Sequence, residues 1–138
     1  MQIVTPQFGV LDIDEDTIIT FPEGMPGFED CKRFKLLHED GPAPRVLWLQ
    51  SIDTPELVLS VIDASLLDFQ YQLNLSDEER ALIDYSDDAE IVLLLTLVRI
   101  GETGSVQPNT GSPIVLNATR RKALQKLGVR AQVVFTDR

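Results

Sequence analysis

Three alternating aspartates, Asp12, Asp14 and Asp16, have the spacing that comes closest to a site for chemistry. Together with Glu23 they match positions 1, 3, 5 and 12 of a calcium-binding EF-hand loop, where carboxylates supply ligand oxygens. Position 6 of that loop needs glycine for a sharp turn, whereas this chain has Thr17 there. The helix that should follow Glu23 is also blocked, because glycines and a proline come next. The pattern therefore favours a solvated acidic strand face over a calcium site.

A second candidate is the single histidine, His38, which could act as a general base. No nucleophile signature of the G-x-S-x-G type accompanies it in the sequence. Pairs of adjacent acids elsewhere in the chain are more typical of solubilising surface charge than of catalysis. We therefore expect a protein that is not an enzyme and uses no cofactor and no metal. The alternative is an acidic β-barrel enzyme or a small-ligand or metal-binding module that uses His38 or the row Asp12, Asp14 and Asp16.

Residues 19–30, ITFPEGMPGFED, specify a backbone shape more tightly than a chemistry. The two prolines fix their own φ angles, and the two glycines permit positive φ. Three large apolar side chains, Phe21, Met25 and Phe28, stand between these residues and would be costly to leave in water. We expect an ordered loop over residues 22–27 that packs on a core, with Phe28 largely buried.

Composition limits the class of protein to which these residues can belong. With 138 residues, of which 43% are hydrophobic, the chain suits one core, so we expect a single domain over residues 1–138. Twenty-two acidic against twelve basic residues give a net charge of −10, which repels nucleic-acid phosphates and favours basic protein partners. The lone Cys31, the lack of a signal-peptide pattern and the lack of about 18 consecutive apolar residues predict a cytoplasmic protein outside the membrane.

Short apolar segments separated by turn residues predict strands along most of the chain. Residues 9–14 should pair with residues 17–21 across a turn at Glu15 and Asp16. Ile91–Ile100 is the most apolar segment, and its Val, Ile and Thr content predicts a central strand buried on both faces. The other predicted strands are Arg33–His38, 46–52 and 57–62.

Only one helix is predicted clearly. Ser76 and Glu79 form a capping box ahead of apolar residues, which places a short helix at residues 77–84. Residues 120–127 fit either a helix that stops at Gly128 or a strand. The pattern as a whole is typical of an all-β, mainly antiparallel fold, a small β-barrel-like domain with one minor helix.

The only tryptophan, Trp48, lies in an alternating strand followed by a turn. Such residues serve both in cores and at recognition surfaces. The core interpretation predicts that Trp48 is largely buried.

Four motifs in order carry a resemblance to a known family. They are Thr5-x-x-Phe8-Gly9, Ile19-x-Phe21-Pro22-x-Gly24-x-Pro26-Gly27-Phe28, Trp48-Leu49-Gln50-Ser51-x-Asp53-x-Pro55 and Pro113-Ile114-Val115-x-Asn117. Over essentially the whole chain this order resembles the family of the flagellar assembly factor FliW. The chain departs from the family pattern at residues 63–65 and 109–110, which predicts shifted loops there. The family's last strands fall over residues 120–135, which favours the strand interpretation of 120–127.

The resemblance implies a small non-enzymatic β-barrel protein of the bacterial cytoplasm that binds two alternative protein partners. One is flagellin, held before export. The other is CsrA, a small basic dimer that binds messenger RNA and represses translation of flagellin. Secretion of flagellin would free the factor to capture CsrA and relieve that repression. We expect the chain to be monomeric on its own and to make no direct contact with RNA.

Positions near the family motifs are the candidates for partner contact, on the expectation that they are exposed. They are Phe8, Pro22, Glu23, Met25, Gln50, Asp53, Asn109, Pro113 and Asn117.

Overall fold

A computed structural model describes residues 1–38, 46–67, 69–71, 73–100, 102, 104–128 and 131–133. The described residues form twelve strands and one α-helix. The strands are β1 (Gln2–Thr5), β2 (Gly9–Asp12), β3 (Ile19–Thr20), β4 (Arg33–His38), β5 (Leu47–Ser51), β6 (Val58–Asp63), β7 (Phe69–Tyr71), β8 (Ile91–Ile100), β9 (Ser105–Pro108), β10 (Ile114–Asn117), β11 (Lys122–Gln125) and β12 (Ala131–Val133), and the helix is α1 (Asp77–Leu82).

Seven of these strands close into a barrel. Around the barrel they run β10, β11, β3, β4, β5, β6 and β8, and β8 returns to pair with β10. Neighbours are antiparallel except β11 and β3, which pair in parallel through Lys122 and Thr20. The ten-residue β8 closes the ring because successive parts of it pair with β10, β6 and β9. The prediction of an all-β, mainly antiparallel barrel with one short helix is confirmed.

The barrel interior holds the main hydrophobic core. Phe21 and Phe34 are fully buried there and meet edge to face, with ring centroids 5.1 Å apart. A second, smaller cluster of Ile83, Val115 and Leu124 lies where α1 packs on the outer face of β10 and β11. Because β10 is buried on both faces, its sequence Ile-Val-Leu shows no alternation of apolar and polar residues.

The helix begins at the predicted capping box. Ser76 Oγ accepts a hydrogen bond from the Glu79 amide at 3.1 Å, and Glu79 Oε1 accepts one from the Ser76 amide at 2.9 Å. The helix ends at Leu82, two residues before the predicted end, because Asp84 takes a left-handed φ of 52°. The Tyr85 amide then donates to the carbonyl of Arg80 at 2.8 Å, which closes a Schellman-type end. Across the described part of the chain, no helix is long and apolar enough to cross a membrane.

The predicted pairing of residues 9–14 with residues 17–21 is wrong. β2 pairs with β1, and the connection between them is closed by Thr5, whose hydroxyl accepts from the Phe8 amide at 3.0 Å and donates to the Gly9 carbonyl at 2.9 Å. β3 joins β4 and β11 in the barrel instead. The local hairpin of β1 and β2 and the pairing of β3 with the distant strands β4 and β11 thus replace the expected hairpin with its turn at Glu15 and Asp16.

Two further expectations are settled by barrel pairing. Residues 122–125 form strand β11 rather than a helix, because β10 and β3 offer hydrogen-bond partners on both sides. Ile91–Ile100 is a strand as predicted, but it is buried on both faces only around Leu94 and Leu95. Its later part leaves the barrel to pair with β9, so Val98 and Arg99 are exposed.

The β1–β2 ribbon joins the barrel through an aromatic contact. Phe8, in the ribbon turn, meets Trp48 of β5 edge to face with ring centroids 5.9 Å apart. Trp48 is only half-buried, which corrects the expectation that it is largely buried. The two rings shield each other at the surface of the barrel.

Replacing Phe8 with alanine should release the ribbon from the barrel and lower stability by about 1–3 kcal/mol through lost ring contact and burial. Because Trp48 is the only tryptophan, its fluorescence reports this contact directly, and we expect its emission to shift to longer wavelength as the ring meets water. Phe28→Ala, which removes an exposed ring, is the matched control and should leave the emission unchanged. An unshifted emission in Phe8→Ala would contradict the contact.

Candidate partner-binding surface

One face of the β1–β2 ribbon carries two strongly exposed valines. Val4 and Val10 stand directly opposite each other in the register and are 71% and 63% exposed. Side chains alternate along a strand, so Ile3 and Leu11 face the other way and are partly covered. Exposing branched apolar side chains to water is unfavourable, so this exposed pair is a candidate for contact with another molecule.

Acidic side chains border this apolar face. Asp12 follows Val10 by two residues and so shares its face of the ribbon, and Asp14, Glu15 and Asp16 follow in the next turn, all exposed. Asp14 Oδ1 accepts a hydrogen bond from the Asp16 amide at 3.0 Å, and a carboxylate oxygen of Asp12 lies 3.8 Å from the N-terminal ammonium. An apolar centre with a negatively charged rim is complementary to a basic partner that has its own apolar patch. We call these six residues the ribbon surface.

The acidic row does not form a metal site within the described residues, where no group of three or more His, Cys, Asp or Glu side chains is placed to hold an ion. The carboxylate of Asp14 instead caps its own turn. His38 is exposed at the last residue of β4.

The Pro/Gly loop is built from two consecutive turns. The Gly24 amide donates to the Phe21 carbonyl at 2.9 Å, and the Phe28 amide donates to the Met25 carbonyl at 2.7 Å. Phe21 and Met25 are buried and anchor the loop, as expected. Phe28 is 45% exposed, so the expectation that it is buried is wrong. The tight turn from Met25 to Phe28 sends only its first side chain into the core.

A cleft of about 260 Å³ separates this loop from α1 and β11. Pro22, Glu23 and Glu29 line its loop side, and Leu82 and Gln125 line the opposite side. Two carboxylates beside apolar groups make it a second acidic surface, and it includes two of the predicted contact residues, Pro22 and Glu23.

The structure separates the nine predicted contact residues by burial. Glu23 and Asp53 are exposed, and Phe8, Pro22 and Asn109 are half-buried. The expectation of exposure is wrong for Gln50, Pro113 and Asn117, which are buried, and for Met25, whose burial agrees instead with the prediction that it anchors the loop on the core. The side chains of these four residues are covered in the folded chain, and Met25, Gln50 and Asn117 hold the loops around them.

Gln50 shows how a motif residue supports a loop. Its Nε2 donates to the carbonyl of Pro55 at 2.8 Å and to that of Ser51 at 2.9 Å, which holds the turn after β5. The exposed Asp53 of the same turn also binds within the chain. Its two carboxylate oxygens accept from the Lys32 amide and from the amide and guanidinium of Arg33, at distances of 2.9–3.0 Å. The motif therefore ties the β5–β6 turn to the start of β4.

Val4 and Val10 were not among the predicted contacts. The sequence does carry a signal for them, because β1 and β2 place apolar residues on both ribbon faces. A two-stranded ribbon can bury only one face against the barrel, so the other face must carry apolar residues into solvent. Which face that is depends on how the ribbon packs.

Two carboxylates should give the protein an acid-sensitive stability. Burial of Asp53, which alone would raise its pKa, is outweighed by hydrogen bonds from Lys32 and Arg33, so its pKa lies below the usual 3.8. Hydrogen bonds from Lys126 and the Ser76 amide hold the pKa of Glu79 below the usual 4.5. A lowered folded-state pKa means that each carboxylate stabilises the fold above its usual pKa and loses that contribution as the pH falls through and below it.

We therefore expect the urea midpoint to fall as the pH drops below about 5, and to fall less steeply in Glu79→Gln and Asp53→Asn, which start lower. Asp87→Asn is the control, because the Asp87 side chain makes no hydrogen bond or ion pair with the described residues. Equal pH slopes in all four proteins would show that these two carboxylates do not carry the effect.

The fold and these surfaces define a small acidic β-barrel protein with exposed apolar and acidic side chains. Comparison with known proteins identifies the family to which the chain belongs. Residues 2–135 match the model of the family described as FliW protein, and the chain belongs to this family of non-enzymatic assembly factors. The relatives named flagellar assembly factor FliW include one from Chromobacterium violaceum, 36% identical over 98% of each chain, and one from Azoarcus sp., 38% identical over 92% of this chain and 90% of that protein.

A solved structure agrees with the assignment. The crystal structure of a flagellar assembly factor FliW superposes with a TM-score of 0.76 at 29% identity, over 92% of this chain and 88% of the other.

Proposed function

We propose that this chain serves flagellar assembly by binding two protein partners in turn in the cytoplasm. Flagellin is held before export, and a basic CsrA-type RNA-binding dimer is captured once flagellin has left. Capture of the dimer then relieves repression of flagellin synthesis. Membership of a family whose curated relatives are named flagellar assembly factors supports the setting. We further propose that residues 1–138 act as one domain and that the chain is monomeric without its partners.

The observation that carries the proposal is the ribbon surface, where the exposed pair Val4 and Val10 lies beside four acidic side chains. Apolar contact at the valines would supply affinity, and the carboxylates would select a basic partner and speed the encounter. The same carboxylates, in a chain with net charge −10, oppose the approach of RNA phosphates to a dimer bound there. The chain would thus weaken the grip of the dimer on RNA without touching RNA itself.

The test is an RNA-binding titration of a CsrA-type dimer, with and without this protein, across a salt series. Changing Asp12, Asp14 and Asp16 to asparagine should reduce the effect on RNA affinity most at low salt, because charge effects are screened beyond about 8 Å at physiological ionic strength. Changing Val4 and Val10 to serine should weaken binding of the dimer at least tenfold at every salt concentration, since apolar contact persists when salt rises.

A pair of remote acids provides the control. Changing Asp87 and Asp88 to asparagine removes two negative charges, against three in the ribbon variant, at residues outside the ribbon surface, and should leave both measurements close to wild type. If the ribbon aspartates and this remote pair have the same effect, only net charge matters and the ribbon surface is not the contact. Flagellin binding, measured with the same variants, would show whether both partners use this surface.

A further inference from the structure

One end of the barrel opens into a pocket that the proposed partner contacts leave unused. Six of the seven barrel strands line it, and the seventh contributes through Arg121, the residue before β11. β5 contributes its first residue, Leu47, and β6 its last, Asp63, as expected if the lining lies at a single end of the barrel. The mouths of β-barrels are a common place for small-molecule sites.

The pocket floor is the open end of the main core. Ile19, Leu94 and Leu116 form it, and all three are buried members of the core cluster. Leu36 and Val92 add further aliphatic surface. The cavity measures about 320 Å³, at the small end of the range of about 300–1,000 Å³ that is typical of ligand pockets. Such a lining accepts an aliphatic chain and rejects a strongly hydrated group.

Positive charge gathers at the mouth although the chain as a whole is acidic. Lys35 and Arg121 line the pocket, and neither forms an ion pair with any described residue. The Lys35 Nζ donates to the hydroxyl of Thr17 at 2.8 Å, which holds the ammonium near the rim. Asp63 is the acidic residue of the lining, and its Oδ1 already accepts from the Ser65 amide at 2.9 Å. The three charges sum to +1, which suits a monoanion better than a phosphate.

The backbone at Arg121 is held in an unfavourable conformation. Its φ of 56° lies in the left-handed region, which costs energy for a residue with a side chain. The Arg121 amide donates to the Asn117 carbonyl at 2.7 Å, and the Arg121 carbonyl accepts from Thr20 at 2.9 Å, so both neighbours fix this geometry. Strained backbone of this kind is commonest at functional sites, so its position at the pocket rim favours a functional role for Arg121.

We propose that the barrel mouth binds a small aliphatic monocarboxylate. Its hydrocarbon chain enters between Leu36, Val92 and the core floor, and its carboxylate lies between the ammonium of Lys35 and the guanidinium of Arg121. Burial of the chain supplies affinity, and the two cations select the head group.

Octanoate is a suitable probe, and the methyl resonances of Leu, Ile and Val side chains in the full chain report where it binds. Titration should move the pocket methyls saturably, those of Leu36, Leu47 and Val92 among them, and leave Val4 unchanged. Octan-1-ol, which has the same chain without the charge, should bind about tenfold more weakly. Lys35→Gln and Arg121→Gln should each weaken octanoate binding by about the same factor.

Two variants serve as checks on these results. Lys32→Gln removes a cation that does not line the pocket and should leave octanoate affinity unchanged. Ala118→Leu adds bulk to the pocket lining without removing a side-chain hydrogen bond, and should abolish binding in a chain that keeps its thermal transition. Methyl shifts scattered over the surface, or equal affinity for octanoate and octan-1-ol, would overturn the proposal. The proposal would also be overturned if flagellin or the dimer shifted the pocket methyl resonances while octanoate did not. In that case the barrel mouth would be a protein contact.

Discussion

Gly24→Ala is expected to lower the free energy of unfolding by about 3 kcal/mol or more. Two costs combine at this position. The φ of Gly24 is +72°, which costs about 1–2 kcal/mol for a residue with a Cβ. An added Cβ would also stand 2.6 Å from Glu29 Cα and 2.7 Å from the Glu29 carbonyl carbon. Both are backbone atoms, so relief requires the loop itself to move.

Gly27→Ala is the matched control in the same loop. Gly27 also has a positive φ, +85°, but nothing lies within 4 Å of an added Cβ. We therefore expect a loss of only about 1–2 kcal/mol, the cost of the left-handed backbone alone. Urea unfolding of the two variants separates steric from conformational cost. Equal losses of unfolding free energy in the two variants would show that the loop can move away from Glu29 with little energetic cost.

The Gly24 variant also bears on function. Phe21 and Met25, on either side of this glycine, anchor the loop that forms one wall of the acidic cleft with Glu23. If the chain remains folded, we expect displaced loop resonances and altered partner binding in Gly24→Ala, and wild-type behaviour in Gly27→Ala.

Asn117→Ala should cost about 3 kcal/mol, because this fully buried amide makes four hydrogen bonds. Nδ2 donates to the carbonyls of Ile83 and Asp84 at 2.8 and 3.2 Å, which holds the end of α1 against the barrel. Oδ1 accepts from the amides of Thr119 and Arg120, both at 3.1 Å, which shapes the turn between β10 and β11. Truncation leaves buried backbone groups without partners, and that penalty dominates the loss.

Asn109→Ala is the control for Asn117→Ala, because it removes the same side chain at a different position. Asn109 is half-buried, and its side chain makes no hydrogen bond with the described residues, so we expect a loss within about 0.5 kcal/mol. Chemical denaturation gives the two values, and amide exchange near Ile83 shows whether α1 has loosened. A loss at Asn117 as small as that at Asn109 would mean that water replaces the amide at little cost.

This distinction affects how partner-binding data should be interpreted. Asn117 belongs to a family motif, and so does the buried Gln50, yet both act within the fold. We expect a substitution at either position to unfold or loosen the protein, so any loss of partner binding that it causes would not identify a contact. Only exposed positions, such as Val4, Val10 and Glu23, test contact directly.

The features that the sequence determined by itself depend on residues close together in the chain. Ser76 and Glu79 are three residues apart, so their capping box and the start of α1 follow from local chemistry. The Pro26-Gly27 pair likewise specifies its turn. The strands that were predicted lie within two residues of observed strands, since the alternation that marks them is also local, but β1, β7, β9 and β10 were not predicted. The all-β class then follows from the sum of these elements.

The tertiary structure alone decided which elements meet. β11 is a strand, against a local helix signal, because β10 pairs with all four of its residues and β3, about a hundred residues away in the chain, pairs with Lys122. The exposure of Phe28 and of the Val4 and Val10 face depends on which side of a turn or ribbon packs on the barrel. The pocket at the barrel mouth gathers residues from strands throughout the chain. Apolar periodicity predicts that a residue will be covered, but the partner that covers it is set by distant pairing and close packing.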